Sequence, residues 1–172
     1  MTSNKPVSLT AKEVLALLPP YPIVLVTTQT NVITVNQVMY FTFSPLRIGV
    51  GIAHARYTHA LLRQECEFVI NVPGADLIEA VKVCGAVSGR KDDKFAAAGL
   101  SPRPSSQVAA VSIAECTAHI ECRVEQHIVF EERTWFVGRV VAALQQEGHS
   151  GVAALMCGRH DYLLPGIVVA PR

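Results

Sequence analysis

Apolar positions along this chain fall into short β-branched runs, set apart by proline, glycine and asparagine turns rather than gathered into long helical stripes. Ile23-Val-Leu-Val-Thr-Thr28 reads as a buried strand. Gln29-Thr30-Asn31 is a turn, and Asn31, which tolerates left-handed backbone, suits a hairpin into the next run. That run, Val32 to Phe43, is unusually long. Fully extended it would reach about 40 Å, roughly twice a common strand. A bend or bulge is therefore expected near Asn36-Gln37, where it would free backbone groups; an ordinary barrel strand with its polar residues facing out remains the alternative. Pro45 closes the run, and Leu46 to Ile52 follows as a strand with Gly49 and Gly51 on one face, leaving room for another chain or a ligand. Glu67 to Val72 is a further strand, ended by Pro73-Gly74. Cys116, Ala118, Ile120, Cys122 and Val124 alternate with Thr117, His119, Glu121, Arg123 and Glu125. This pattern predicts a half-buried strand with both cysteines inward and His119 toward solvent. Trp135 to Leu144 is a last long strand that Gly138 allows to bend, before a glycine-punctuated tail carrying Asp161-Tyr162.

Helical signals are brief. Thr10-Ala-Lys-Glu13 has the form of a capping box, followed by Val14, Leu15, Leu17 and Leu18 and stopped by Pro19-Pro20. Thr58 suits the N-cap of a helix from His59 to Gln64, with Leu61 and Leu62 inward and Arg56 just ahead. A helix start beside a guanidinium makes a phosphate seat; a capped helix beside a solvated arginine is the competing reading. Asp76-Leu-Ile-Glu79 repeats the capping-box form and opens a helix through about Val83, with Gly85 and Gly89 marking its end and a loop. Arg90, Lys91, Asp92, Asp93 and Lys94 then cluster beside Phe95, and residues 101–107 form an exposed connector. Five or six strands with hairpin connections favour an antiparallel barrel over a doubly wound sheet, in a single domain spanning 1–172.

Composition narrows the chemistry. The chain has 172 residues, half of them hydrophobic and only 17% charged, which favours a large subunit interface. A net charge of +1 gives no broad pull on nucleic acid. No apolar run is long enough to span a bilayer, and Met-Thr-Ser-Asn-Lys opens no signal-peptide pattern, so a cytoplasmic setting is expected. Cysteines 66, 84, 116, 122 and 157 include no CxxC and fall at no zinc-ligand spacing, which predicts reduced packing thiols and no metal. Glycine-rich nucleotide loops, a Ser-His-Asp set and HExxH are absent.

Several stretches, in order, carry a resemblance: Tyr21 to Thr28, Asn31-Val-Ile-Thr34, Thr42-Phe-Ser-Pro45, Arg56-Tyr-Thr58, Glu67 to Pro73, Cys84-Gly85, Ser88-Gly-Arg-Lys-Asp-Asp-Lys-Phe95, Ile113 to Cys116 and Glu121-Cys122. Over residues 20–145 or so the chain resembles the flavin reductase-like family, in its flavoredoxin branch. The resemblance implies a mainly β fold: an antiparallel Greek-key split β-barrel of about six strands with short flanking helices. It also implies a homodimer binding FMN, with FAD as the alternative, and NADH or NADPH as electron donor. Asn31, Thr34, Val35, Asn36 and Gln37 match the segment lining the flavin ring and ribityl chain, partly through backbone groups. Thr42 and Phe43 match a second wall, Arg56, Tyr57 and Thr58 the phosphate end, and Lys94 a basic residue near the flavin. The chain departs from the family pattern in lacking a glycine before Asn31, in Asn36, and in Leu46 replacing the second proline of a pair.

The implied chemistry is hydride transfer from a nicotinamide nucleotide to flavin N5, with no obligatory acid–base residue in the protein. Two other readings stand beside it: a flavin carrier passing electrons to an acceptor protein, and a split barrel that has lost flavin. Cys84, near a helix C-terminus, reads as a packing thiol rather than a redox one.

Overall fold

The computed structural model describes residues 8–146, 156–157 and 162–163. Helix α1 (Ala11–Leu17) opens with the expected capping box: Glu13 accepts from the Thr10 amide at 2.8 Å, and Thr10 Oγ1 accepts from the Glu13 amide. Strands β1 (Tyr21–Pro22), β2 (Val24–Thr27), β3 (Val32–Val35), β4 (Val38–Phe43) and β5 (Leu46–Ala53) follow. Helix α2 (Tyr57–Glu65) leads to β6 (Glu67–Val72), and a single 3-10 turn at Ala75–Leu77 enters α3 (Ile78–Ala86). Next come α4 (Lys94–Ala98), β7 (Pro102–Arg103), β8 (Ser112–Ile113), β9 (Ala118–Val129) and β10 (Arg133–Gln145). Of the tail, β11 (Met156–Cys157) pairs with β1 on one side and with β12 (Tyr162–Leu163) on the other; Asp161 lies outside the described residues.

The main sheet has seven antiparallel strands in the order β3-β2-β6-β9-β10-β5-β4. The expected count of about six is one short because the run 32–43 is two strands. Its break falls at Asn36-Gln37, as expected, but does more than kink the run. Strands β3 and β4 sit at opposite edges of the sheet. Val35 and Val38 can be no more than about 11 Å apart along the chain, while seven strands laid flat would put the edges about 29 Å apart. The sheet must curl so that its edges approach each other at this corner, where Gly51 N donates to Gln37 O at 2.8 Å and extends the β4–β5 ladder by one pair.

Two apolar cores result. Val24, Val26, Ile33, Val35, Phe68, Ile70, Cys122 and Phe136 fill the barrel, while Ile23, Leu25, Val32, Val81, Cys84, Phe95 and Cys116 pack between its outer wall and α3 and α4. Strand β2 serves both, which is why its sequence shows no alternation. Strand β10 bulges at Val137/Gly138. A Cβ on Gly138 would come within 2.9 Å of the Phe68 ring, so the glycine makes room for a core aromatic as well as the bulge.

Several local expectations are corrected. Asn31 does not use a left-handed backbone; Cys66 is the one non-glycine residue described with positive φ. Gly49 and Gly51 open a face that Phe41, Gln37 and Trp135 of the same chain fill. Thr58 is not the N-cap of α2; Arg56 is, and Thr58 lies inside the first turn. The Asp76 capping box does not form: α3 starts at Ile78 without a side-chain cap and runs through Gly85 to Ala86. Cys116 and Cys122 do not share a face, because Cys116 precedes β9 in a bend.

His119 and Glu121 are fully buried, contrary to the alternation. The segment 101–113 folds back over them as a strap. Glu121 accepts from the amides of Ser106 (2.8 Å) and Gln107 (2.6 Å). His119 is hydrogen-bonded to Asn71 (2.9 Å) and Arg103 (2.8 Å). The polar face is covered by backbone and side-chain partners in place of water.

Candidate functional site

Where α2 begins, the chain brings Arg56 close to the buried Lys94. No acidic residue stands in the first turn of α2, and no side chain caps it. Arg56 turns its own amide back to Ala53 O at 3.0 Å, and the amides of Tyr57 and Thr58 receive no acceptor from the described residues. First-turn amides carry the positive end of the helix dipole. Asn31 secures this turn to the barrel by donating from Nδ2 to Thr58 Oγ1 at 2.8 Å.

Lys94 lies under the same corner, only 5% exposed. Its ammonium donates to Cys84 O at 2.5 Å, at the end of α3. Burial first, and the nearby Arg56 guanidinium after it, hold Lys94 below the ordinary lysine range against an opposing pull that Cys84 would exert if ionised; no carboxylate counters them. Cys84 is itself pushed up to about 11 by burial, so at neutral pH it is a thiol and supplies no negative charge. A buried ammonium beside a second cation is costly unless an anion joins it. Asn31, Arg56, Tyr57, Thr58 and Lys94, all anticipated from sequence, thus meet at one place.

The segment 34–37 is used in mixed fashion: Thr34 faces α3, while Gln37 lies against Gly51 of β5. Thr34 Oγ1 is spent on Val81 O at 2.5 Å. Val35 points its side chain into the barrel, so only its backbone faces outward. Asn36 is exposed. Gln37 is the notable member: its Oε1 is buried and finds no partner, and the residue borders a hollow of about 540 Å³ with Trp135, Phe130 and Arg133. Because β3 is an edge strand, one side of its backbone is also unpaired by any other strand.

Thr42 and Phe43 are not brought to this place. They end β4, and at the usual rise Thr42 is about 16 Å along the strand from Gln37. Thr42 Oγ1 donates to Pro45 O at 2.6 Å, closing the β4–β5 turn, and Phe43 stands 77% exposed.

Sequence reading missed the cleft that adjoins the start of α2. A cavity of about 680 Å³ lies between the start of α2, the 88–95 loop and the strap, with Tyr57, Arg90, Lys91, Asp92, Phe95 and Arg103 on its walls. The Arg90 guanidinium lies 5.2 Å over the Tyr57 ring and donates to Ala55 O at 3.3 Å. Arg103 is an exposed residue whose guanidinium is held by buried His119. The Ser88–Phe95 motif carried a signal for Arg90 and Lys91. Arg103 had only its flanking prolines, which restrict its backbone.

Comparison with known proteins bears on the family and the fold. Residues 18–163 match the model of the flavin reductase like domain. An uncharacterized protein of Archaeoglobus fulgidus is 40% identical over 111 residues, a stretch covering 64% of this chain and 63% of that protein; the chain thus spans just under two thirds of that relative's length. Among solved structures, flavoredoxin from Methanosarcina acetivorans superposes with a TM-score of 0.87 at 22% identity, covering 97% of this chain and 95% of that one. An FMN-binding protein from Thermus thermophilus, with bound 1-cyclohex-2-enone, gives 0.83 at 23% identity, covering 99% of this chain and 100% of that one. The fold is the antiparallel split barrel expected from sequence, and the chain belongs to the flavin reductase-like family.

Proposed function

We propose that the chain binds FMN with its phosphate at the start of α2 and passes hydride from NADH or NADPH to it. The observation that carries this reading is the unbalanced pair Arg56 and Lys94 beside the free first-turn amides of α2. A phosphate supplies the missing negative charge, and the helix start and guanidinium supply its hydrogen bonds. The residues present fit the ring end as well. The buried Gln37 carbonyl lacks a donor, and a ring N–H is a donor of the right kind; the open edge of β3 adds backbone groups. When bound, flavin supplies N5 as hydride acceptor. The protein's own task is to hold, orient and dry the site. Asn31 and Thr58 fix the seat, Lys94 places positive charge, and no side chain is required to move a proton. Cys84, buried and protonated, takes no part.

The second wall comes from another copy in this reading. Met39, Tyr40, Phe43 and Leu46, with Ile128, Val129 and Phe130, leave a broad apolar surface exposed along β4 and the β9–β10 turn. A C2 homodimer burying that surface would let Thr42 and Phe43 of one chain serve the flavin of its partner.

Titration with FMN followed by NADH or NADPH in air tests the reading. Tight FMN uptake with steady nucleotide oxidation is expected. A flavoprotein reduced only by a protein donor would replace the reductase with an electron carrier, and failure to take up FMN would end the flavin reading.

A further inference from the structure

Two histidines meet where β5 gives way to α2, and the flavin reading uses neither. His54 follows the end of β5, and His59 stands in the first turn of α2. Four residues separate them, a spacing that also occurs between zinc-binding histidines. Their rings lie edge to face, with centroids 4.8 Å apart. Both Nε2 atoms turn to one oxygen: Thr134 Oγ1 lies 3.1 Å from that of His54 and 3.0 Å from that of His59. Thr134 is 1% exposed and pairs across β10 with Ile52 of β5. Its hydroxyl has a single proton, so between neutral rings it donates to one Nε2 and accepts from the other. One imidazole lone pair is therefore already aimed at the shared point.

The pair is held in place on several sides. The His59 ring packs edge-on against Phe136 at 5.4 Å, and His127, opposite Phe136 on β9, packs against the same ring at 5.1 Å. The His54 amide donates to Glu132 O at 2.9 Å. Burial, and then His54, Arg63 and His127, hold His59 below its ordinary value, so at neutral pH its ring is unprotonated and able to ligate. His54 is exposed, and Arg63, the fixed cation nearby, has its side chain in solvent, so the approach is open. The ring separation also fits a shared ion. With a metal–nitrogen bond of about 2.0–2.1 Å, the centre of a ligating imidazole stands roughly 3.2 Å from the metal, and two such rings at a right to a tetrahedral angle have centres about 4.5–5.2 Å apart. The 4.8 Å between His54 and His59 falls inside that interval.

We propose that His54 and His59 form a two-histidine site for a divalent transition-metal ion of the zinc and copper class, bound through both Nε2 atoms with water completing its coordination. Imidazole nitrogen suits such ions. Among the described residues no group of three or more His, Cys, Asp or Glu is placed for a metal, so the site is open, with positions left for solvent. The ring that carried its proton on Nε2 moves it to Nδ1, and Thr134 Oγ1 turns to a bound water. The ion ties the end of β5 to the first turn of α2. None of the residues assigned to flavin takes part, so the site stands or falls apart from that reading.

The probes are Zn²⁺ and Cu²⁺, added to the full chain after treatment with a chelator. Zn²⁺ should bind saturably by calorimetry, and His54→Ala and His59→Ala should each weaken it about tenfold or more. Cu²⁺ should show, by electron paramagnetic resonance, nitrogen splitting from two imidazoles in the wild type and from fewer in either variant, a signature that a purely structural role for the rings would not give. His54 is exposed, so His54→Ala keeps the test decisive if His59→Ala fails to fold. Absence of Zn²⁺ binding at millimolar concentration, or unchanged Zn²⁺ affinity in a folded variant of either histidine, overturns the proposal and leaves the two rings serving Thr134 alone.

Discussion

Asn31 Nδ2 donates to Thr58 Oγ1 at 2.8 Å, and both side chains are almost wholly buried. This one bond joins the β2–β3 turn to the first turn of α2. Asn31 Oδ1 also lies against Gly89, where an added Cβ would collide with it, so the same asparagine sets the spacing of the 88–95 loop. Thr58→Val removes the acceptor and strands a buried amide, which costs about 1–3 kcal/mol. Urea unfolding should show that loss. Replacing Asn31 by Leu in the same chain should cost less than the sum of the two single changes, because the stranded group goes as well.

Lys94 should show stability and binding pulling in opposite directions. Without ligand, its buried ammonium has one carbonyl partner and an unfavourable neighbour in Arg56. Lys94→Met keeps the packing and drops the charge. Thermal unfolding of the unliganded variant should occur at or above the wild-type temperature, while FMN affinity falls about ten- to a hundredfold. A variant that loses stability and keeps FMN affinity would place the anion elsewhere.

The buried histidine sets a pH dependence. Burial, and then Arg103, hold His119 below its ordinary value, against a smaller opposing pull from Glu121. Nδ1–H donates to Asn71 Oδ1 and Arg103 donates to Nε2, so the folded state holds the ring neutral. The unfolded chain binds the proton near pH 6.5. Stability is therefore fully present above that value and falls as pH drops below it. His59, lowered by burial and by His54, Arg63 and His127, acts with the same sign. Urea midpoints should decline between pH 7.5 and 5.5, and His119→Gln should give a shallower decline from a lower starting stability. An unchanged slope would mean the ring is not held neutral.

Phe43 tests assembly. It is 77% exposed in one chain yet lies among other uncovered apolar residues of β4 and β5. Phe43→Asp should shift sedimentation from dimer to monomer at micromolar concentration. A wild-type monomer that still holds flavin would remove the partner's share in the site.

Much of this was legible in the sequence because strand period, caps and ordered motifs are local signals. The bend at Asn36-Gln37 followed from strand length alone. That it closes a barrel did not, since strand order is a long-range property. Thr58 lies at the start of α2 but in another role than expected: capping preference suggested an N-cap, whereas its hydroxyl serves Asn31. His119 and Glu121 were misjudged because alternation assumes water on the polar face, and the strap from 101 to 113 replaces that water. The same strap brings Arg103 to the cleft, a placement with no local signature. Thr42 and Phe43 matched a pattern, but in this chain Thr42 closes the β4–β5 turn and Phe43 lies against Tyr40, away from the start of α2.

The phosphate seat is the centre of the flavin reading, and Arg56 is its exposed, substitutable member. Flavin fluorescence titrations of FMN and riboflavin against wild type and Arg56→Ala test it most directly. A guanidinium–phosphate contact is worth about 1.5–3 kcal/mol, so FMN should weaken roughly ten- to a hundredfold, while riboflavin, which lacks the phosphate, keeps its affinity. Equal weakening of both ligands, or of neither, would contradict a phosphate at the start of α2.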